Sequence, residues 1–190
     1  MARGPGPSYS PAVTHFRRGT SADSRLAFDI FEPTIDDLGR RTGGGANATA
    51  AQPSTAWSKR RPLFEHLAET GDEWWFAEDE ARRAVGYARS IVRDGVRELT
   101  EFFVLPESQS SGIGRELLAR AFPAMGSRHR SIVATIDPRA IARYLQSGLP
   151  ARVPMAFVEG VPRRFSLPTD LVRERIDPDD PPLEALGAID

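Results

Sequence analysis

A helix that opens on two closely spaced glycines carries the clearest chemistry in the sequence. Residues 98–118 read as a strand, a short loop and a helix that begins at Ser111-Gly112-Ile113-Gly114. The first N–H groups of a helix have no intrahelical acceptor and lie at the positive end of the helix dipole. Glycine lets an anion approach these groups closely, so the segment is suited to binding phosphate. A helix start satisfied by water or by Ser110 is the alternative interpretation.

Other phosphate-binding and catalytic motifs are missing. The single lysine, Lys59, does not follow a glycine-rich loop, which excludes a P-loop. A dinucleotide fingerprint needs three glycines after an early strand and an acidic residue about twenty positions later, and neither is present. The sequence has no Gly-x-Ser-x-Gly elbow and no cysteine. Because its three histidines are isolated, we predict no metal site. They are His15, His66 and His129.

The glycine loop and the strand before it resemble the coenzyme-A loop of the GNAT family of N-acetyltransferases. The family pattern is Val-x-Pro followed by Gln/Arg-x-x-Gly-x-Gly/Ala, and this chain has Val104-Leu105-Pro106 and then residues 109–114 at the family spacing. The resemblance implies a strand bulge that exposes amides of Phe102, Phe103 and Val104 to the pantetheine arm and the thioester carbonyl. It also implies that the loop cradles the pyrophosphate. The loop residues concerned are Gln109, Ser110, Ser111, Gly112, Ile113, Gly114 and Arg115.

A second segment, residues 137–149, resembles the family pattern Asn-x-x-Ala-x-x-x-Tyr-x-x-x-Gly-Phe. Ala140, Tyr144 and Gly148 match it, while Asp137 replaces the asparagine and Leu149 the phenylalanine. By itself, Tyr144 is more typical of an aromatic residue that packs a helix onto a sheet. The resemblance implies instead that Tyr144 is the general acid for the coenzyme A thiolate. It also places Asp137 beside the pantetheine arm, without the amide donors of asparagine.

Two glutamates in the strand before the loop are candidates for the general base. An amine must be neutral to attack a thioester, so a base or a water chain is required. The odd spacing of Glu98 and Glu101 predicts that they lie on opposite faces of the strand. Glu98 resembles the glutamate of the histone-acetylating branch, and Glu101-Phe-Phe-Val resembles a segment of the polyamine-acetylating branch. Either can equally be a surface carboxylate, and we favour Glu101 as the base.

The spacing of apolar residues predicts the helices and strands that must position these residues, and Gly and Pro predict where they end. Asp94-Gly95 predicts a two-residue hairpin turn with positive φ at both residues. A helix capped by Ser21 or Asp23 should be interrupted at Pro33. Another helix should begin at Pro62, and we predict a mobile loop over residues 40–55 between the two. Further helices are predicted from Gly112 to Pro123 and over 139–146. The predicted strands are 14–18, 73–78, 84–92, 96–105, a fully covered strand over 132–136, and 153–158.

These elements predict an α/β fold in which a mixed, mostly antiparallel central sheet has helices on both faces. The resemblance implies the acyl-CoA N-acyltransferase fold. We expect a disordered leader over residues 1–12, one acetyltransferase domain over 13–168 and a tail or linker over 169–190. Residues 139–154 also resemble the first half of tandem-repeat GNAT proteins, so we expect that the chain can pair with a second copy as a homodimer.

The composition of the chain argues against nucleic acid and membranes as partners. The 190 residues carry a formal net charge of −1, so no global field favours nucleic acid or an anionic membrane. Without cysteine or an apolar run of membrane-spanning length, the sequence favours a soluble cytoplasmic protein.

With the resemblance, the sequence predicts direct transfer of an acetyl group from acetyl-CoA, the cosubstrate, to a primary amine of a small molecule or peptide. The alternative is a non-catalytic acyl-CoA sensor or scaffold module, which the atypical Asp137 and Ser110-Ser111 favour.

Overall fold

The computed structural model describes residues 15–42, 53–155, 160–161 and 170, without the side chains of residues 53 and 54. The chain divides into two compact units, Met1–Arg152 and Val153–Asp190. The helices and strands of the described residues all lie in the first unit. None of these helices is long and apolar enough to cross a membrane. The predicted leader over 1–12 and, apart from residue 170, the predicted tail over 169–190 lie outside the described residues.

The described strands form one five-stranded sheet in the order β1-β2-β3-β4-β5. Neighbouring strands are antiparallel except β4 and β5, which run parallel. This confirms the predicted mixed, mostly antiparallel sheet. The strands are β1 (His15–Arg18), β2 (Glu73–Glu78), β3 (Ala84–Arg93), β4 (Val96–Val104) and β5 (His129–Ile132).

Helices cover both faces of the sheet, as predicted. Phe28 and Phe64 pack from one side onto a core that includes Phe76 and Tyr87 of the sheet. Leu117 packs from the other side, against a second core that contains Ala88 and other small and branched side chains. The helices of the first core are α1 (Ser24–Thr42) and α2 (Pro53–Thr70), that of the second is α3 (Ile113–Ala121), and α4 (Pro138–Gln146) follows β5.

The prediction that Pro33 interrupts the first helix and that Pro62 begins another is wrong, because both prolines lie inside continuous helices. Both prolines are exposed, so each ring lies on the solvent side of its helix. Burial of the whole apolar face of each helix, which includes Phe28 and Ile30 in α1 and Phe64 and Trp57 in α2, offsets the cost of the prolines. Both ends of the predicted loop over 40–55 are therefore helical, and residues 43–52 lie outside the described residues.

The hairpin turn is confirmed, and the fifth strand begins earlier than predicted. Asp94 and Gly95 have φ values of 50° and 85°. The Gly95 carbonyl accepts hydrogen bonds from the amides of Arg128 and His129, at 2.7 and 3.1 Å, and β5 therefore starts beside the hairpin. It ends at Ile132, so the predicted covered strand over 132–136 is wrong. Residues 153–155 are not in a strand, and 156–158 lie outside the described residues.

Candidate active site

The sheet opens between β4 and β5, directly before the glycine loop. β5 pairs only with Val96–Leu99 of β4, so the described residues provide no strand neighbour for the last residues of β4 on that side. The N–H of Leu105 donates to Val85 of β3 at 2.9 Å. Because successive peptide groups of a strand point to opposite edges, the N–H groups of Phe102 and Val104 face the opening, whereas that of Phe103 faces β3.

A cavity of about 600 Å³ occupies this opening. Its walls come from the end of β4, the glycine loop, the segment between β5 and α4, α4 itself and α1. Of the residues singled out in the sequence, Glu98, Ser111, Ile113 and Arg115 are not among its lining residues. Those that line it are Glu101, Phe102, Phe103, Val104, Gln109, Ser110, Gly112, Gly114, Asp137 and Tyr144.

The glycine loop presents a row of unpaired backbone N–H groups. Ser110 and Gly112 have φ values of 65° and 90°. In the described part of the chain, no acceptor bonds the N–H groups of residues 110–114. A Cβ added to Gly112 would meet nothing nearer than Arg115 Nη2 at 4.0 Å, so the space beside Gly112 is open. Consecutive free N–H groups at a helix start form a site for an anion.

Side chains of the loop hold this conformation. The Gln109 amide donates to the Val104 carbonyl at 2.9 Å, and the Ser111 hydroxyl donates to the Ser108 carbonyl at 2.6 Å. Ile113 is buried in the second core and therefore contributes only its N–H group to the surface of the loop. The N–H of Arg115 already donates to Gly112 at 3.0 Å, so the unpaired groups end at Gly114.

Tyr144 reaches the cavity from α4. Its ring lies 6.1 Å from that of Phe102, centroid to centroid, at an interplanar angle of 55°. No described residue hydrogen-bonds its hydroxyl. Burial, and next the charge of Asp137, raise the pKa of Tyr144 to about 12. The phenol therefore keeps its proton at neutral pH and is available as a donor.

Asp137 caps α4 and binds α1. One carboxylate oxygen accepts from the Arg139 N–H at 3.0 Å, and the other accepts from Arg41 Nη1 at 2.9 Å. Burial opposes the charge of Asp137, but these two donors outweigh it and hold its pKa below the usual range. The side chain that replaces the expected asparagine thus joins the two helices that flank the cavity.

Glu101 lies in the cavity wall, within a buried network. Its carboxylate accepts from the Tyr87 hydroxyl at 2.8 Å and forms an ion pair of 2.6 Å with Arg89. Arg89 is fully buried, with its guanidinium carbon 4.0 Å from the centre of the Trp74 ring. Burial raises the pKa of Glu101, while the charge of Arg89 and the hydroxyl of Tyr87 act in the opposite direction.

The prediction that Glu98 and Glu101 lie on opposite faces is wrong. Leu99 and Phe102 both pack beside α3 residues. Glu98, which precedes Leu99, and Glu101, which precedes Phe102, therefore both point away from α3. The cause is a bulge at Thr100, where Ser90 pairs with Leu99 but Arg89 pairs with Glu101. Glu98 is nonetheless exposed and lies outside the cavity wall.

A family model for the GNAT acetyltransferases matches residues 46–149. The chain belongs to the GNAT acetyltransferase family. None of the curated proteins compared with it matches.

Solved GNAT structures share the fold at low sequence identity. A predicted acetyltransferase of Clostridium acetobutylicum with acetyl-CoA is 16% identical, with a TM-score of 0.58, over 77% of this chain and 96% of that one. The PaiA N-acetyltransferase of Thermoplasma acidophilum in complex with coenzyme A is 14% identical, with a TM-score of 0.56, over 71% and 88%. A putative acetyltransferase of Pyrococcus furiosus is 17% identical, with a TM-score of 0.54, over 77% and 99%.

Sequence reasoning missed the partners that this GNAT chain supplies to Glu101. The hairpin turn alone would place Ala88 opposite Glu101, and only the bulge at Thr100 brings Arg89 there. The resemblance implied a bulge at Phe102–Val104, but these residues pair with β3 in regular register and the bulge lies at Thr100. The sequence predicted the first helices at the acceptor site without naming residues, and the α1 residues in the cavity wall are Thr34, Ile35, Leu38 and Arg41.

Proposed function

We propose that this chain is an N-acetyltransferase that transfers the acetyl group of acetyl-CoA to a primary amine of a small molecule or peptide. The observation that carries the proposal is one cavity that joins three features: the glycine loop with its unpaired N–H groups, the open edge of β4 and the Tyr144 side chain. The solved structures from C. acetobutylicum, with acetyl-CoA, and T. acidophilum, with coenzyme A, support acetyl-CoA as the cosubstrate.

The residues present fit acetyl-CoA. A diphosphate requires several donors on one short segment, and residues 110–114 offer consecutive unpaired N–H groups at the positive end of α3. The N–H groups of Phe102 and Val104 would bind the pantetheine arm and the thioester carbonyl. Gly114 keeps α3 close to β4, since a Cβ there would lie 3.1 Å from Phe102 Cζ. When bound, acetyl-CoA supplies the activated acyl group.

The chain's own groups account for the proton movements of a direct attack. Glu101 accepts a proton from the amine as the new C–N bond forms, because its buried carboxylate lies in the cavity wall. The N–H groups at the open edge of β4 stabilise charge on the carbonyl oxygen. As the C–S bond breaks, Tyr144 donates its proton to the sulfur. Solvent then returns a proton to Tyr144 and takes one from Glu101.

Binding and turnover are tested separately on the full chain. We expect acetyl-CoA to raise the melting temperature and to bind in isothermal titration calorimetry, and we expect a panel of primary amines to elicit release of free thiol. Coenzyme binding without thiol release would favour the sensor or scaffold module. No binding of coenzyme would exclude both functions. The domain limits 13–168, a homodimer and a cytoplasmic location stay predictions of the sequence.

A further inference from the structure

Helix α1 crosses the opening of the sheet from β4 to α4. At one point the ring of Phe31 lies against that of Phe103, with centroids 5.1 Å apart. Farther along the helix, Arg41 bonds Asp137 at the start of α4. Ile35 and Leu38 lie between these two contacts and on the same helical face as Phe31, because they follow it by four and seven residues. Both line the cavity and form its roof on this side of the sheet.

The polar groups of this roof are already engaged. The Thr34 hydroxyl donates to the Ile30 carbonyl at 2.8 Å. Arg41 is shared between Asp37 and Asp137, at 2.8 and 2.9 Å. Among the described residues, α1 therefore offers this part of the cavity apolar surface and no unpaired charge.

The carboxylate beneath the roof is that of Glu101. Glu101 and Phe103 are two residues apart in β4, and both point away from α3 towards the α1 side of the sheet. Tyr87 and Arg89 hold the Glu101 carboxylate in place from β3. This part of the cavity thus combines a fixed carboxylate with an apolar wall.

We propose that the acceptor is an alkylamine or arylalkylamine that carries no charged group on the carbon atom that bears the amino group. The inference rests on the proposed function and names its substrate class. The amino group would meet Glu101, and the body would lie under Ile35 and Leu38. A carboxylate on the carbon that bears the amine is rejected under this roof, because it would lose water without gaining a cation from α1 and would lie beside the Glu101 carboxylate. Arg139 and Arg143 of α4 also line the cavity, and a preference for phenylalanine would assign the carboxylate to them instead.

Three acceptors that differ at one position test the inference on the full chain. Phenethylamine has hydrogen where phenylalanine has a carboxylate, and phenylalaninamide has an uncharged amide of similar size there. We expect kcat/KM for phenethylamine to exceed that for phenylalanine at least about tenfold, with phenylalaninamide close to phenethylamine. Equal or better use of phenylalanine would overturn the inference, and so would rejection of phenylalaninamide as strong as that of phenylalanine.

A variant of the roof supplies the matched comparison. Leu38→Lys adds a positive charge to the cavity wall and should lower the preference for phenethylamine over phenylalanine about threefold or more. Asp36→Asn makes the same change in net charge on an exposed residue outside the wall and should leave the preference unchanged. An unaltered preference in folded Leu38→Lys would contradict the roof; if that variant does not fold, the three acceptors on the unmodified chain decide.

The result separates this inference from the proposed function. A chain that acetylates phenylalanine but not phenethylamine is still an N-acetyltransferase, and only the acceptor class is then wrong. A chain that binds acetyl-CoA and acetylates no amine overturns both.

Discussion

Arg41 in the last turn of α1 and Asp137 before the first turn of α4 form a 2.9 Å hydrogen-bonded ion pair beside the cavity. The same aspartate accepts the N–H of Arg139 and so caps α4. One side chain therefore both begins the helix that carries Tyr144 and fixes that helix to α1. This relationship gives Asp137 a structural role that the family pattern at this position did not suggest.

Replacing Asp137 should separate its two roles. Asparagine also caps helices well, so Asp137→Asn keeps the cap and loses the charge pair, whereas Asp137→Ala loses both. We expect the free energy of unfolding to be about 1 kcal/mol lower in the alanine variant than in the asparagine variant. Urea denaturation followed by circular dichroism measures this difference. Equal stabilities would show that the cap contributes nothing.

The charge pair should also depend on pH. The folded protein holds the pKa of Asp137 below its usual range, so the stabilisation is fully present above the unfolded value of about 3.9. It is lost as the pH falls through the lower, folded value. The stability difference between the unmodified chain and Asp137→Asn should therefore be constant near neutral pH and shrink below about pH 4. A difference that grows on acidification would contradict the ion pair.

Gly112→Ala should weaken coenzyme binding. Alanine is strained at a φ of 90°, and relief of that strain would shift the loop's unpaired N–H groups. We expect the Kd for coenzyme A, measured by calorimetry, to rise about tenfold or more. Gly126→Ala is the control, since Gly126 has a similar φ of 85° but lies outside the cavity wall. An equal change in Kd for both variants would argue against the loop as the diphosphate site.

Tyr144→Phe should impair turnover but not coenzyme binding. Phenylalanine keeps the ring against Phe102 and removes only the hydroxyl. We expect kcat for thiol release to fall about 100-fold, within the range for loss of a general acid or base. The Kd for coenzyme A should stay within about twofold. Unchanged turnover would exclude Tyr144 from the mechanism.

Glu101→Gln should abolish most of the activity, whereas Glu98→Gln should not. Glu101 is buried in the cavity wall, and Glu98 is exposed outside it. We expect kcat/KM to fall about 100-fold or more in the first variant and to stay near that of the unmodified chain in the second. Both substitutions remove one negative charge, so the second variant controls for net charge. Loss of activity in both would point to an electrostatic effect rather than a base.

Tyr87→Phe should shift the acid limb of the pH profile to higher pH. A base works only when ionised, so activity falls as the pH drops through the pKa of Glu101, which burial raises. The Tyr87 hydroxyl stabilises the ionised form, and its removal raises that pKa further. The dependence of kcat/KM on pH measures this shift, because it reports the pKa values of the free enzyme. A profile that moves to lower pH would contradict Glu101 as the titrating base.

Sequence reasoning located features that depend on local chemistry. Asp94-Gly95 forms the predicted turn because few other residue pairs accept positive φ at both positions. Gly112 precedes α3 for a similar reason, and the spacing from Val104 to Gly114 carried the resemblance to the coenzyme loop of the family. Tyr144 lies on the predicted helix and faces the cavity that this loop borders.

The failed predictions concern competition between distant parts of the chain. Pro33 and Pro62 break helices locally, but the packing of Phe28 and Phe64 keeps α1 and α2 continuous. The apolar run after Ile132 favours a strand, yet β5 ends where its pairing with β4 stops.

By itself, the sequence determined the fold class from the order of its elements. It determined the family and the position of the glycine loop as well, because the family motifs are residue types at short, fixed spacing. The tertiary structure alone decided that Arg89 supports Glu101, that both glutamates share one face and that Ile35 and Leu38 are the residues of α1 that roof the cavity. These features depend on a one-residue bulge at Thr100 and on contacts between segments far apart in the chain. The burial and the pairing of side chains that stabilise these features involve distant residues, so no local pattern predicts them.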